Sequence, residues 1–276
     1  MNLFELLQYD FIRNALLMAV LVSIPCAILG TFIVVRRLVF IAGGLSHVAF
    51  GGLGLFHFLG LPPLFGGFIF AGLTALILGI SGRVKRLRQD ALIGLLWSAG
   101  MALGILFISL TPGYAPNLMT YLFGNIITIS IGDLGLALGL NLVIIIIIIL
   151  FFKEFVAVSF DDEFAALQGV PVRLFMTILL LLVSVSIVLL IRLVGIILVM
   201  ALLTVPPLMG MQIARRFSRI MTTGVISAMV ISLAGLVLSF WLDLPSGPII
   251  VVTAVCSLGL VTGIGAIIRR ISAASE

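Results

Sequence analysis

One of the two histidines in this 276-residue chain lies in an apolar, glycine-rich stretch. The stretch FIAGGLSHVAFGG, residues 40–52, places Ser46 directly before His47. A neutral imidazole ligates borderline transition metals and brings no full charge into an apolar environment. Because ionisable groups inside membrane segments are costly, they are candidate functional groups by default. His47 is therefore the first candidate metal ligand.

The residues around His47 follow helical spacing. Residues three or four apart share one face of a helix. That face consists of Gly43, His47, Phe50, Gly51 and Gly54. Since glycines let a second helix approach closely, we expect His47 to face protein or a narrow path instead of lipid. Gly43, Ser46 and Gly51 are the predicted path-lining neighbours, and a packed, hydrogen-bonded histidine is the alternative.

A second candidate stretch is ILVMALLTVPPLMGMQIAR, residues 197–215. Pro206 and Pro207 cannot donate backbone hydrogen bonds, so carbonyls one turn earlier lose their partners. Thr204 adds a hydroxyl at the same depth. These features predict a flexible or broken helix that lines a path. An ordinary proline kink is the alternative.

Composition indicates which elements must position these residues. The chain is 63% hydrophobic and 9% charged, with a mean hydropathy of +1.42. Such values are typical of an all-α, polytopic transmembrane bundle, and we predict one transmembrane domain over residues 1–276. The predicted spans are 12–35, 40–59, 63–81, 91–110, 133–152, 174–191, 194–213, 221–241 and 247–268.

Basic residues predict the orientation of the bundle. Of the 15 lysines and arginines, all but Arg13 and Arg192 fall on one side of an alternating topology. The positive-inside rule then places the N-terminus outside and the C-terminus in the cytoplasm. The same rule explains the basic pI of about 9.9 without nucleic-acid binding. Residues 111–132 contain too few apolar residues to span the membrane. We predict an external re-entrant or interfacial segment there.

The loop 151–172, FFKEFVAVSFDDEFAALQGVPV, predicts a short amphipathic helix at the inner surface. Asp161, Asp162 and Glu163 would complement the helix dipole in the first turn, and Gly169 would end the helix. Phe164 and Leu167 would then present apolar surface to a docking partner. A solvated connector is the alternative.

Two absences narrow the functional classes. The nucleotide-binding pattern GxxxxGK[ST] does not occur in the sequence, so any ATP would be hydrolysed by another chain. Acidic residues are missing from the predicted span centres, which argues against proton or sodium coupling. An ion-coupled secondary transporter of small solutes is therefore the second hypothesis, and a structural or sorting subunit is the third.

Five blocks in order resemble the metal-type ABC importer permease family, from about Arg13 to Arg270. The blocks are VVRRLVFIAGGLSHVAFGGLGL, MTYLFGNI, DDEFAALQGVPV, LVGIILVMALLTVPPL and DLPSGPII. The resemblance implies a prokaryotic plasma-membrane permease without enzymatic activity of its own. It implies no permanently bound cofactor, with zinc, manganese or iron as the transported substrate.

The resemblance also implies partners. An ABC ATPase subunit would dock at the segment Asp161–Gly169, and an extracytoplasmic metal-binding protein would deliver metal. A homodimer, or a pair of related permeases, would form the path.

One position departs from the family pattern. Many members carry G-D-x-x-S-H in the second span, with an acid one turn before the histidine, whereas this chain has Gly43 there. Because carboxylates suit manganese and an imidazole alone suits zinc, the sequence favours zinc as the substrate.

Overall fold

The computed structural model describes residues 9–80, 86–112, 124, 126 and 129–274, without the side chains of 86–90 and 268–274. In these residues the chain forms eleven α-helices. They are α1 (Asp10–Val35), α2 (Val39–Phe58), α3 (Pro63–Ile80), α4 (Arg86–Leu110), α5 (Ile131–Leu150), α6 (Phe152–Phe160), α7 (Asp162–Leu167), α8 (Val172–Val194), α9 (Ile196–Ile213), α10 (Phe217–Leu242) and α11 (Ser246–Ala274).

Nine of the described helices are long and apolar enough to cross a membrane, namely α1 to α5 and α8 to α11. Their bounds agree with the nine predicted spans to within a few residues. The agreement has a simple cause: in lipid the backbone must satisfy its own hydrogen bonds, so each long apolar run becomes a helix. The predicted all-α membrane fold is confirmed.

The chain folds into two compact units. The first unit contains Met1–Val34, Asn125–Asn141 and Ile197–Glu276. Within it α10 packs against α11. The Ser23 hydroxyl of α1 lies 3.1 Å from the Ser232 hydroxyl of α10, and the Asn141 amide of α5 donates to the Leu21 carbonyl at 2.8 Å. Buried polar side chains thus link the helices of this unit, as is common in membrane bundles.

The second unit contains Val35–Gly124 and Leu142–Ile196. Here α2 packs against both α3 and α4, and α8 packs against α3. Most of α2 is buried, including its glycines, whereas α4 keeps much of its surface exposed. The helix that carries His47 is therefore the centre of this unit.

The loop 151–172 contains one helix more than predicted. Besides the expected α7, residues Phe152–Phe160 form α6, which begins directly after a turn at Phe151. Phe155 and Val158 of α6 are buried, so this segment continues the packed structure up to α7. Sequence reasoning missed α6 because the charged pair Lys153 and Glu154, at its start, interrupts the apolar run that continues from α5.

Most of the predicted re-entrant or interfacial segment 111–132 lies outside the described residues. The prediction of one transmembrane domain over residues 1–276 stays a prediction.

Candidate substrate path and coupling site

His47 lies inside α2, eight residues after Val39, which corresponds to about 12 Å along the helix axis. Its side chain is half-buried. The Nδ1 atom is inaccessible to solvent and has no hydrogen-bond partner among the described residues. A buried polar atom normally has a partner, so an orphaned imidazole nitrogen in an apolar helix requires an explanation.

Trp97 of α4 covers one face of the imidazole. The two ring centroids are 4.6 Å apart and the ring planes differ by 23°, which is a stacked arrangement. The same indole lies against Gly43, where an added Cβ atom would come within 2.7 Å of the ring carbon Cζ3. Trp97 therefore occupies the space beside position 43 and lies against the His47 ring.

The glycine-rich face of α2 packs against α4, as its spacing predicted. A Cβ atom at Gly51 would lie 2.9 Å from the Gly100 carbonyl oxygen, and one at Gly54 would lie 2.6 Å from the Gly104 carbonyl oxygen. In the other direction, a Cβ atom at Gly100 would lie 2.5 Å from the His47 carbonyl oxygen. Because these distances are too short for real side chains, the two backbones meet directly beside His47.

Ser46 is fully buried, and its hydroxyl donates to the Ala42 carbonyl at 2.9 Å. This bond lies within α2 and is the usual way in which a serine satisfies its hydroxyl inside a membrane helix. The path-lining roles of Gly43, Ser46 and Gly51 stay predictions.

The proline pair in α9 differs from the predicted broken helix. The helix runs without interruption from Ile196 to Ile213, and Pro206 and Pro207 are both buried within it. Gly30 of α1 packs directly against the Leu203 carbonyl, which is the carbonyl that Pro207 leaves without its helical donor. The helix is therefore unbroken in this structure, whereas its flexibility and its role in lining a path stay predictions.

Thr204 also bonds within its own helix, since its hydroxyl donates to the Met200 carbonyl at 2.9 Å. The predicted path-lining residues fall into both compact units: Gly43, Ser46 and Gly51 into the second, and Thr204, Pro206 and Pro207 into the first. Across the described part of the chain, no group of three or more His, Cys, Asp or Glu side chains could hold a metal ion. His47 therefore offers an imidazole nitrogen outside any such cluster of the described residues.

The predicted docking helix is present as α7, and Asp161 caps it. One Asp161 carboxylate oxygen accepts hydrogen bonds from the backbone amides of Glu163 and Phe164 at 2.9 and 3.0 Å. At the other end, Gly169 has a positive φ of 80°, a conformation that glycine adopts without strain. Local chemistry therefore fixes both ends of this short helix, as the sequence predicted.

Asp162 has a different role from its neighbours. Its carboxylate accepts two hydrogen bonds from the Arg36 guanidinium, at 2.9 and 3.1 Å, and Arg36 also donates to the Val158 carbonyl. The Arg36 side chain is only 11% exposed. This bidentate pair ties α7 to the turn that precedes α2, and both lie in the second unit.

The apolar side chains of α7 face outward. Leu167 is 86% exposed and Phe164 is 55% exposed, while Ala165 between them is buried. Leu167 exceeds every other large apolar residue whose side chain the structure describes. An apolar ridge beside the exposed Glu163 is typical of a docking surface on a larger assembly.

Sequence reasoning missed two contacts: that of Trp97 with His47, and that of Arg36 with Asp162. Trp97 lies in the apolar run GLLWSAG and carries no local signal of a partner. The charge pattern marks Arg36 only as a topology determinant. Both contacts join residues that are distant in the chain, so no local pattern could identify them.

The nine apolar helices among the described residues define the class of this chain as a multi-pass helical membrane protein. The profile of the ABC 3 transport family matches residues 8–262, and the chain belongs to that family of plasma-membrane permeases. The family predicted by resemblance is confirmed.

Three similar proteins illustrate the match. The chain is 40% identical to an uncharacterized membrane protein of Synechocystis sp., covering 91% of this chain and 89% of that protein. It is 32% identical to the manganese transport system membrane protein MntC of Halalkalibacterium halodurans, covering 91% and 86%. Its fold is similar to the solved structure of PsaBC from Streptococcus pneumoniae in complex with Fab, with a TM-score of 0.83, 28% identity and coverage of 94% and 93%.

Proposed function

We propose that this chain is the membrane-spanning permease subunit of an ABC importer for divalent transition-metal ions. The observation that carries the proposal is His47, an imidazole with an orphaned nitrogen inside an apolar helix of an ABC 3 family member. Imidazole nitrogen is a common ligand of such ions. The importer's N-terminus lies outside the cell and its C-terminus lies in the cytoplasm.

Zinc is the substrate that the donor chemistry favours. The donor here is the imidazole nitrogen of His47, since Gly43, one turn earlier, carries no side chain and Trp97 lies against it. Manganese is the second candidate, since the relative from Halalkalibacterium halodurans is named as a manganese transport protein. Oxygen ligands suit manganese, and imidazole suits zinc.

A separate ABC ATPase subunit supplies the energy by docking on α7. The exposed Phe164 and Leu167 form its contact, and Glu163 borders that contact. Asp161 and Gly169 keep the helix in shape, and Asp162 passes its movement to the α1–α2 turn through Arg36. An extracytoplasmic metal-binding protein delivers the ion, and two copies of the permease form the path.

Uptake into proteoliposomes tests the proposal. The permease and its ATPase are reconstituted with the binding protein, and uptake of Zn²⁺, Mn²⁺ and Fe²⁺ is measured with and without internal ATP. We expect ATP-dependent uptake and metal-stimulated ATP hydrolysis, largest with Zn²⁺. Uptake driven by a proton or sodium gradient without ATP would instead establish the ion-coupled transporter. Preference for Mn²⁺ would establish the second candidate substrate.

A further inference from the structure

We propose that Trp97 is a positioning and specificity-determining residue for the metal path, acting through its stack on His47 and its contact with Gly43. The inference rests on the proposed function, since it concerns the same ion. It adds a residue whose role follows from three separate effects of one indole ring.

The first effect comes from the stack itself. At a centroid distance of 4.6 Å, the indole restricts rotation of the His47 ring. Residues that orient a metal-binding histidine tune its affinity, and their loss typically costs about 10- to 100-fold. His47 has no hydrogen bond at Nδ1 among the described residues, so the aromatic stack takes the place of the usual orienting hydrogen bond.

The second effect is electrostatic. A metal ion on the imidazole makes that ring positive, and the face of an indole attracts positive charge. The attraction is strongest for Trp, weaker for Phe and absent for an aliphatic side chain. Trp97 therefore stabilises the metal-loaded imidazole more than the free one.

The third effect is the exclusion of a second ligand. Position 43 lies one turn before His47 on the same helical face, so an acidic side chain there would complete a two-ligand site. The indole already lies within 2.7 Å of where its Cβ atom would be. Trp97 thus fills the space that an oxygen ligand from position 43 would need, which disfavours ions that prefer oxygen ligands.

The fluorescence of Trp97 reports directly on this contact. The chain has two tryptophans, and the other, Trp241, lies on α10 and is 74% exposed. In a Trp241→Phe background, the full-length permease in lipid nanodiscs is titrated with Zn²⁺, with Mg²⁺ as the control ion. We expect a saturable change in Trp97 emission with Zn²⁺ only, and its loss in His47→Ala. An unchanged emission would overturn the inference.

Zn²⁺ uptake by the complex of permease and ATPase distinguishes a positioning role of Trp97 from simple packing. We expect the apparent Zn²⁺ affinity to fall in the order Trp97, Trp97→Phe, Trp97→Leu, with a loss of about 10-fold or more for leucine. Equal losses for phenylalanine and leucine would overturn the inference. If the native complex transports none of the metals, the proposed function fails and the inference fails with it.

Gly43→Ala provides a variant that leaves both aromatic rings in the chain. Its methyl group should displace the indole from His47 and reproduce the loss in Trp97→Leu. Gly72→Ala on α3 is the matched control, because nothing lies within 4 Å of a Cβ atom there. Size-exclusion profiles in detergent check that both variants fold. A folded Gly43→Ala with native Zn²⁺ affinity and native Trp97 emission would contradict the proposal.

Discussion

At the residue scale, the proposed metal transport rests on one imidazole. His47 is half-buried, its Nδ1 has no hydrogen-bond partner among the described residues, and Trp97 stacks on its ring. These features are compatible with a weak, transient ligand. A transporter must release its ion, so a single donor is compatible with passage. The alternative is a histidine that only packs against Trp97 and has no contact with the ion.

Replacing His47 by alanine distinguishes the two. We expect uptake at limiting metal to fall by about 10-fold or more, because the donor is lost. Assembly with the ATPase should be intact, since the backbone contacts with Gly100 are retained. His57→Ala is the matched control, because His57 is the only other histidine and lies in the last turn of α2. Normal uptake by His47→Ala at limiting metal would favour the packing role.

At the scale of elements, α2 and α4 meet through glycines. The contact at Gly100 leaves no room for a methyl group, because an added Cβ atom would lie 2.5 Å from the His47 carbonyl oxygen. Inside lipid the hydrophobic effect does not drive helices together. Small residues instead let the two backbones approach closely enough for van der Waals packing to hold them. The glycine contacts therefore determine which residues of α4 lie beside His47.

Alanine substitutions on α4 test this contact. We expect Gly100→Ala to destabilise the permease by about 1–3 kcal/mol through overpacking. Gly94→Ala on the same helix meets nothing within 4 Å and should change stability by less than about 1 kcal/mol. Thermal unfolding in detergent measures both. Equal melting temperatures would show that α4 can move away from α2 without cost.

The Arg36–Asp162 pair is the second contact between elements, because it connects α7 to the turn that precedes α2. In a double-mutant cycle with Arg36→Gln and Asp162→Asn, we expect a coupling energy of about 2 kcal/mol, typical of charged hydrogen bonds. ATP hydrolysis should continue while metal uptake falls. Arg37→Gln is the control, since Arg37 is exposed and outside the pair. Additive effects on unfolding and full uptake would refute the connection.

The exposed apolar ridge of α7, Phe164 and Leu167, is the proposed docking surface for the ATPase. We expect Leu167→Ser to reduce copurification of the ATPase by several-fold, because the most exposed large apolar side chain of the described residues loses its contact. Ile131→Ser, at the start of α5, is a matched control with 80% exposure of the native side chain. Pull-down from detergent extracts measures both. Equal recovery of the ATPase with the two variants would move the docking surface elsewhere.

At the scale of the whole molecule, the predicted orientation has direct consequences for labelling. In a chain without its native Cys26 and Cys256, we expect Leu244→Cys to react with a membrane-impermeant maleimide on intact cells. Gln168→Cys, next to α7, should react only after the membrane is opened. Both native side chains are exposed, so accessibility is not limited by packing. The reverse pattern would show that the predicted topology is inverted, and that α7 lies outside the cell, where the ATPase cannot reach it.

Much of this molecule could be predicted from local sequence. The nine spans follow from apolar runs of sufficient length, and the ends of α7 follow from Asp161 as its cap and Gly169 after it. The glycine spacing of α2 correctly predicted a close helix contact. These features depend on residues within a few turns of one another, which is why they can be recognised in a single sequence.

Tertiary structure alone decided the partners of these features. Trp97 comes to lie on His47, and Arg36 reaches Asp162 across 126 residues, because helix packing brings distant segments together. Pro206 and Pro207 lie within an unbroken α9, and Gly30 lets α1 pack directly against the Leu203 carbonyl that Pro207 leaves without a helical donor. A sequence determines which residues can span, cap or ligate, whereas the close packing of whole helices determines which of them meet.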